Sequence, residues 1–336
     1  MNAIKALGIL TGSILVFMAA IAGFNFVVDS QCYYRCETID PQRRTLNSYY
    51  RVAQRIHAFP ETEVVILGSS RGETTPPLWI ESATGMKTLN LSAAGSELSS
   101  KLTFLKIAQE NTKLRKVIWF ADYFELISET TDAKLKNTPA LRRYVGEESS
   151  ALSFRQWLRE LQSLIDHNTL EASLYFLNNA EETQLNQGAG STIDYKLCES
   201  SEFKGKETPE SLAKEVELLY QNYAARVLPP SQSLKAQEQF IQEMSTLAAK
   251  GIEVIVVITP YHPTFLKRLK AEHADIYQRH LDWISKIETL SSRGVRVLNY
   301  FAGLPGDDGS PALWDDGVHF TCRGSMAMLK GYAVPF

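Results

Sequence analysis

Two short segments, far apart in the chain, carry the residue types that nucleophilic catalysis requires. Gly68-Ser69-Ser70 lies in the first quarter of the sequence, and Asp316-Gly317-Val318-His319 lies near its end. A serine hydroxyl is a weak nucleophile until a base takes its proton, and histidine has a suitable pKa for that task. The histidine in turn needs a carboxylate that fixes its tautomer. The residue types therefore predict Ser70 as nucleophile, His319 as base and Asp316 as the residue that orients His319.

The late motif carries more weight than the early one. Serine and glycine are common in turns, so Gly68-Ser69-Ser70 alone would predict only a turn. Asp315 precedes Asp316, but a spacing of three residues to His319 favours Asp316 as its partner. The sequence contains no C-x-x-C zinc arrangement and no glycine-rich phosphate loop of the Walker type. We therefore expect neither a metal nor another cofactor.

Alternating strand and helix patterns indicate how these segments would be positioned. Five short apolar runs, rich in β-branched residues, predict strands that are buried on both faces of a parallel sheet. The runs are residues 63–67, 88–91, 116–120, 252–258 and 295–298, and helical patterns cover residues 98–108, 236–249 and 276–290. The alternation predicts an α/β fold with a doubly wound (flavodoxin-like) parallel sheet of about five strands.

Polar residues and glycines follow these strands, at the edge where open parallel sheets bind ligands. Ser70 follows the first strand, Gly95 the second, Asp122 the third and His262 the fourth. We therefore expect them to gather at one edge of the sheet, where a histidine from the end of the chain would meet the serine.

These motifs resemble those of the SGNH (GDSL-type) hydrolase and acyltransferase superfamily. Gly68-Ser69-Ser70 is similar to its first block, with Ser70 in the nucleophile position, and Asp316-x-x-His319 matches its last block. The resemblance implies that the backbone N–H groups of Ser70 and Gly95 form an oxyanion hole. The third block, normally glycine-x-asparagine, is replaced by a segment that ends at Asp122. The similarity covers roughly residues 64–122 and 250–325.

Two departures from the family pattern resemble the membrane-anchored branches of the superfamily. Ser69 stands where an acidic residue is usual, and Asp122 stands where an asparagine donor is expected. Those branches act in acyl transfer to cell-envelope or exopolysaccharide glycans. The resemblance thus implies a serine esterase or O-acyltransferase that takes an acylated glycan, with envelope biosynthesis proteins as partners. The alternative is an inactive module that binds glycan or a partner protein, and a third interpretation is an anchored scaffold whose motifs match by coincidence.

Three further residues are candidates for substrate binding, and each has a structural alternative. Arg71 would supply an additional donor to the oxyanion, or it would pair with Asp122 instead. His262 lies between Tyr261 and Pro263 and would contact substrate from the rim, although a loop histidine beside proline is often structural. Asp122 would face the same site.

The start of the chain predicts a membrane segment. Residues 6–28 contain no charged side chain, and about 20 apolar residues in a helix span the hydrocarbon core. A cleaved signal peptide is the alternative, because Ala20-Ile21-Ala22 resembles a cleavage site. We expect residues 1–28 to form the anchor and residues 29–60 a connector and a helix. Residues 61–336 would form the α/β domain, with a helical insertion at about 125–235 that caps the site or lies remote from it.

Charge and cysteines bear on the compartment and on the partners. The net charge of −3, with no long basic run, argues against a nucleic-acid partner. The positive-inside rule would place the domain in the cytoplasm, but an N-terminal span commonly acts as an export signal. We expect a single-pass protein of the cell membrane with an extracytoplasmic catalytic domain.

The four cysteines, Cys32, Cys36, Cys198 and Cys322, permit three disulfide pairings, between which the sequence does not choose.

Overall fold

The chain divides into two compact units in the computed structural model. One unit comprises Met1–Gln54 and Ala133–Gln187, and the other comprises Arg55–Asp132 and Gly188–Phe336. The structure describes residues 3–126, 131–145, 161–179, 208–226, 233–304, 306–307 and 309–331. All three predicted triad residues belong to the second unit.

The second unit is built on a five-stranded parallel sheet. Its strands are β1 (Val64–Leu67), β2 (Thr88–Asn90), β3 (Lys116–Ala121), β4 (Glu253–Ile258) and β5 (Arg296–Asn299). The strand order is β2-β1-β3-β4-β5, and every neighbouring pair is parallel. This is the flavodoxin-like order of doubly wound sheets. The predicted fold class is therefore confirmed, with each strand within two residues of its predicted bounds.

The described residues 161–164 are helical, and thirteen further helices have both ends within the described residues. They are α1 (Ala3–Val28), α2 (Ser48–Ala58), α3 (Ser70–Glu73), α4 (Pro77–Thr84), α5 (Leu98–Asn111), α6 (Ala133–Lys136), α7 (Pro139–Arg142), α8 (His167–Asn178), α9 (Pro209–Arg226), α10 (Leu234–Ala249), α11 (Pro263–Glu272), α12 (Ala274–Glu288) and α13 (Cys322–Leu329). Short 3₁₀ turns cover Tyr123–Leu126, Arg143–Val145 and Thr289–Arg293. Helices follow each of the first four strands, as the alternation predicts.

The sheet is covered by helices because its strands are apolar on both faces. Every residue of β1, β2 and β3 is buried, and only the first residue of β4 is exposed. On one face the indole of Trp119 packs edge-on against Phe240 of α10, with 5.4 Å between ring centroids. On β3 the next side chain, Phe120, packs near Phe320, at 6.0 Å between centroids. This packing therefore holds β3 in place between helices and the C-terminal segment.

The described parts of the predicted insertion are mainly helical. Its described residues, 131–145, 161–179 and 208–226, contain α6 to α9 and no strand. The helix expected around residues 212–226 lies within α9. The one expected around residues 154–165 falls mostly outside the described residues, as does the polar section at 178–191.

The first unit contains the N-terminal apolar helix. Leu7–Val28 is 22 residues long and has a mean hydropathy of 2.2, and its most apolar stretch is not buried by the rest of the protein. At 1.5 Å per residue, such a helix is long enough to cross the hydrocarbon core of a bilayer. The segment is therefore long and apolar enough to be the single membrane span that the sequence predicts.

A disulfide joins Cys32 to Cys36 just beyond this helix. Both cysteines are buried in a small cluster with Tyr50 and Ala140, and Ile39 packs against it. Cys322, in the second unit, is disulfide-bonded as well. Cys198 lies outside the described residues.

Candidate active site

The predicted nucleophile lies at the carboxyl end of β1. The chain leaves β1 at Gly68 and enters the short helix α3 at Ser70, so the serine occupies the first helical position. Ser69 is the N-cap, and its Oγ accepts a hydrogen bond from the backbone N–H of Arg71 at 3.4 Å. The Ser70 side chain is half-buried. This strand-to-helix turn presents the Ser70 hydroxyl at the ligand-binding edge of the sheet.

Two glycines allow the Ser70 turn to fold back on itself and on the loop after β2. A β-carbon on Gly68 would lie 2.8 Å from the Cα of Gly72, and one on Gly72 would lie 2.3 Å from the Oγ of Ser92. Asn90, at the end of β2, fastens the same turn. Its Nδ2 donates to the carbonyl oxygens of Gly72 at 2.8 Å and Thr75 at 3.0 Å.

Asp316 and His319 form a compact turn near the end of the chain. One carboxylate oxygen of Asp316 accepts hydrogen bonds from the backbone N–H groups of Val318 and His319, both at 2.7 Å. The other oxygen lies 2.7 Å from Nδ1 of His319. The carboxylate therefore holds both the turn and the imidazole, and the spacing of three residues makes this double contact possible.

The two segments meet although 249 positions separate them. Ser70 Oγ lies 2.8 Å from Nε2 of His319, so serine, histidine and aspartate form one continuous hydrogen-bonded chain. Two further bonds tie the segments together: Thr74 Oγ1 donates to the Phe320 carbonyl at 3.2 Å, and Ser325 Oγ donates to the Thr74 carbonyl at 3.3 Å. With Nδ1 facing a carboxylate, Nε2 is the nitrogen that can accept the serine proton.

The Asp316 carboxylate is poised to stay ionised. Burial by itself raises the pKa of Asp316. The opposing effects are larger and lower the pKa overall: they are the hydrogen bond and charge interaction with His319 and the two backbone N–H bonds. An ionised Asp316 can stabilise a positive charge that forms on His319 during proton transfer.

A buried polar network lies directly under the Ser70 turn. Asp122, at the end of β3, accepts hydrogen bonds from Ser69 Oγ and, at 2.9 Å, from Thr259 Oγ1. Its carboxylate also lies 3.4 Å from the guanidinium of Arg71 and 3.8 Å from the ammonium of Lys101. Burial raises the pKa of Asp122, yet these two cations and the two hydroxyls lower it overall.

The pairing of Arg71 with Asp122, considered above as an alternative, is thus present in the structure. The two side chains are only 4% and 6% exposed. Arg71 Nη1 donates to Thr259 Oγ1 at 2.5 Å, and the guanidinium lies 4.6 Å from the centroid of the Tyr261 ring. Arg71 and Asp122 are therefore placed to support the Ser70 turn from the interior.

Glu125 extends the network away from Ser70. Its carboxylate pairs with Lys101 in the interior and accepts a hydrogen bond from the indole N–H of Trp119 at 3.1 Å. Lys101 also donates to the Phe120 carbonyl at 2.9 Å. Burial raises the pKa of Glu125 to about 7, against the opposing effect of Lys101. The network joins α5 to the end of β3.

Gly95 lies in an exposed turn beside the Ser70 loop. Its φ of +67° is left-handed, a conformation that favours glycine. The turn is held against β1 because Ala93 N–H and Ser96 Oγ both donate to the Gly68 carbonyl, at 3.2 and 2.9 Å. Glu73 accepts the Ala94 N–H at 2.8 Å. The structure thus brings the Gly95 turn next to the Ser70 turn, and the role of Gly95 in an oxyanion hole stays a prediction.

His262 lies behind the Asp316 turn and caps α11. Its Nδ1 accepts the Thr264 N–H at 3.2 Å, while Nε2 lies 3.2 Å from the Gly309 carbonyl. The backbone N–H of His262 donates to the Gly317 carbonyl at 3.0 Å. Burial lowers the pKa of His262, so the ring is neutral near pH 7. Its position joins β4 to the segment that carries His319.

Sequence reasoning missed several residues that support the site. Asn90, Thr259 and Lys101 all bond to the Ser70 turn or to Asp122, yet none belongs to a motif. Asn90 and Thr259 could have been found from the sequence, because each lies at the end of a predicted strand. The residues that the structure describes contain no group of three or more histidine, cysteine or carboxylate side chains that is placed to hold a metal ion.

Comparison with protein-family models and with curated proteins finds no match for this chain. Its function must therefore be inferred from the chemistry of the residues at the strand ends. Of the predicted site residues, the structure brings Ser70, His319 and Asp316 into direct contact. Arg71 and Asp122 lie beneath them, and His262 lies behind the histidine's turn.

Proposed function

We propose that this protein is a serine esterase or O-acyltransferase of the SGNH type that acts on acyl esters of a cell-envelope or exopolysaccharide glycan. One observation carries the proposal: the unbroken chain of hydrogen bonds from Ser70 Oγ through His319 to Asp316. A serine, a histidine and a carboxylate in this order are the parts of a nucleophilic acyl-transfer site.

In the first half-reaction, Ser70 Oγ attacks the ester carbonyl and His319 Nε2 takes its proton. Asp316 keeps the proton of the imidazole on Nδ1 and stabilises the imidazolium. The carbonyl oxygen becomes an oxyanion, which the backbone N–H groups of Ser70 and Gly95 would stabilise. One such donor is worth about 2.7–4 kcal/mol of barrier. His319 then returns the proton to the leaving alcohol, and the acyl group stays on Ser70.

In the second half-reaction, a hydroxyl group attacks the acyl-enzyme while His319 acts as base again. If the hydroxyl belongs to water, the protein is an esterase. If it belongs to a sugar, the protein is an O-acyltransferase. Both reactions use the same three residues, so the choice depends on which hydroxyl binds beside His319.

The location we propose is the outer face of the cell membrane, with the N-terminal helix as the single span. Leu7–Val28 supplies the span. The disulfide between Cys32 and Cys36 supports an oxidising compartment, because disulfides persist outside the cytoplasm and are rare within it. Such a location would bring the protein to envelope glycans and to the proteins that build them.

A second candidate is an inactive module of the same fold that binds glycan or a partner protein. The observation that favours it concerns Asp122, at the position where an oxyanion donor is expected. Its carboxylate forms an ion pair with Arg71 and accepts a hydrogen bond from Ser69. A carboxylate in an ion pair cannot donate a hydrogen bond to an oxyanion. The two candidates differ in whether Ser70 turns over an ester.

The deciding experiment compares wild type with Ser70→Ala on 4-nitrophenyl acetate and on a serine-directed fluorophosphonate. We expect Ser70→Ala to lose esterase activity by about 10³-fold or more and to lose the label, because the nucleophile is gone. Ser82→Ala is the matched control, since Ser82 is an exposed serine whose hydroxyl donates to its own helix at the Leu78 carbonyl. Equal turnover in wild type and Ser70→Ala would overturn the esterase assignment, and labelling of neither would favour the inactive module.

A further inference from the structure

The end of the apolar helix α1 is covered by other parts of the first unit. Residues 7–20 of α1 are exposed, whereas in its last two turns Asn25 is buried and Val28 is half-buried. Asn25 is only 1% exposed, and its Nδ2 donates to the carbonyl oxygen of Leu164 at 2.7 Å. Helix α8, which follows Leu164 in the chain, also contacts α1. Both therefore lie beside the end of the apolar helix.

The length of α1 sets the depth at which these parts lie. Leu7–Val28 is 22 residues long, or about 33 Å at 1.5 Å per residue, and the hydrocarbon core of a bilayer is about 30 Å thick. When this segment spans the bilayer, its last two turns lie in one leaflet, close to the headgroups. The parts that pack against those turns lie at the same depth.

Side chains at the end of the span mark the level of the membrane surface. The rings of Phe26 and Tyr34 pack together with 6.0 Å between centroids, and the Tyr34 hydroxyl is hydrogen-bonded to that of Ser163. The guanidinium of Arg35, an exposed residue, donates to the Val27 carbonyl at 3.0 Å. Aromatic rings and arginine head groups gather where hydrocarbon meets the lipid headgroups. Helix α8 begins shortly after Ser163 and therefore starts near this level.

Helix α8 has an exposed face of leucines. Leu174 and Leu177 are 47% and 50% exposed, and residues three apart lie on the same face of a helix. Ser173 and Phe176, in contrast, are buried. The guanidinium of Arg44 lies 4.5 Å from the centroid of the Phe176 ring and donates to the Phe176 carbonyl at 2.7 Å. One side of α8 thus packs against protein, and a different, apolar side is exposed.

We propose that α8 is an interfacial helix, whose leucine face lies in the lipid leaflet that surrounds the end of the span. The occupant is lipid because the exposed leucines belong to the helix that packs on the span, so the leucine face continues the apolar surface of α1. Exposed apolar patches mark interaction sites, and amphipathic helices bind at membrane interfaces through such a face. This second contact goes beyond a single anchor, since it fixes how the first unit lies on the bilayer.

Nitroxide spin labels on the full-length protein in nanodiscs of phosphatidylcholine and phosphatidylglycerol test the proposal. Leu177→Cys places a label on the leucine face. Asn168→Cys, also at an exposed position, places one on the opposite face, because nine residues make two and a half turns. Leu15→Cys, in the exposed part of α1, is the lipid reference. Among the described residues every cysteine is disulfide-bonded, so wild type should take little label and reports the background.

Collisions of the label with oxygen, which dissolves in lipid, are compared with collisions with a water-soluble nickel complex. At Leu177 the ratio of oxygen to nickel collisions should be several-fold higher than at Asn168 and should approach the ratio at Leu15. Leu174→Cys should repeat this result as an independent variant. Equal ratios at Leu177 and Asn168 would overturn the proposal. Few collisions with either agent at Leu177 would also overturn it, because protein would then cover the face.

The proposal depends on the membrane span and not on the triad. A label at Leu15 that collides mainly with nickel would overturn both the span and the contact of α8. A lipid-exposed label at Leu15, together with a water-exposed label at Leu177, would overturn the contact of α8 alone. Esterase activity, measured on the same nanodiscs with wild type and Ser70→Ala, tests the proposed function separately.

Discussion

The guanidinium of Arg71 lies 3.4 Å from the carboxylate of Asp122, in the interior beneath the turn that carries Ser70. Arg71 directly follows Ser70, and Asp122 also accepts a hydrogen bond from Ser69. The pair therefore contacts both residues that flank Ser70. Asp122 is thus placed to hold the Ser70 turn.

Removal of the Asp122 carboxylate should destabilise the fold strongly. Asp122→Ala would leave Arg71 and Lys101 as buried cations near each other, and breaking a buried pair costs about 3–5 kcal/mol. Chemical unfolding would measure the loss. The double variant Arg71→Met with Asp122→Leu should recover part of it, because one uncompensated charge is then absent. A double variant no more stable than Asp122→Ala would contradict this account.

The exposed pair of Lys113 and Glu61 is the control for that measurement. Both side chains are more than 60% exposed, at 66% and 68%, so water screens their attraction. Lys113→Ala should leave the free energy of unfolding nearly unchanged, because exposed ion pairs contribute little.

Asp316→Asn should reduce esterase activity far more than it reduces stability. The amide can still accept backbone N–H bonds, but it cannot hold the imidazole in the required tautomer or stabilise its charge. In serine proteases the equivalent change lowers kcat by about 10⁴-fold. Steady-state hydrolysis of 4-nitrophenyl acetate would measure the effect. Asp315→Asn is the adjacent control, and a similar loss in both variants would argue against Asp316 as the orienting residue.

The lowered pKa of Asp122 gives stability a defined dependence on pH. A carboxyl group whose folded pKa lies below its ordinary value of 3.8 contributes stability above that value and loses it as the pH falls through the folded pKa. Below about pH 4 the stability difference between wild type and Asp122→Asn should therefore shrink as the pH falls. Urea unfolding at several pH values below about 4 tests this, and a difference that grows with falling pH in that range would contradict it.

Gly72→Ala should disturb the Ser70 turn through its contact with Ser92. The added β-carbon would lie 2.3 Å from Ser92 Oγ and 3.1 Å from Ser92 Cβ, so one residue must shift. We expect lower esterase activity and a lower melting temperature. Ser92→Gly removes both contacted atoms, so Gly72→Ala with Ser92→Gly should regain much of both properties. If the double variant regained neither property, the contact with Ser92 would not be the cause of the loss.

The Cys32–Cys36 disulfide should form only if the connector reaches an oxidising compartment. In cells treated with a membrane-permeant maleimide, a variant with only these two cysteines should remain unlabelled until a reductant is added. Replacing Leu15 and Val16 by Lys would interrupt the apolar helix and should leave the same cysteines reactive. Labelling of both proteins without reductant would contradict an outer location.

The sequence by itself determined the elements and the candidate chemistry. Continuous apolar, β-branched runs such as residues 253–258 are typical of strands that are buried on both faces of a sheet. The strands were therefore predictable from the local pattern. Asp316 and His319 are three positions apart and interact within one turn. Such a short-range contact can be predicted from the spacing of the two residues. The uncharged run of residues 6–28 likewise specifies a membrane-length helix through its composition.

Only the tertiary structure decided how distant groups meet. The approach of Ser70 to His319 depends on strand order and on how the final turn packs, which no local pattern encodes across 249 positions. The pairing of Asp122 with Arg71, and the bonds from Asn90 and Thr259, arise because burial obliges polar groups to find partners that lie wherever the sheet brings them.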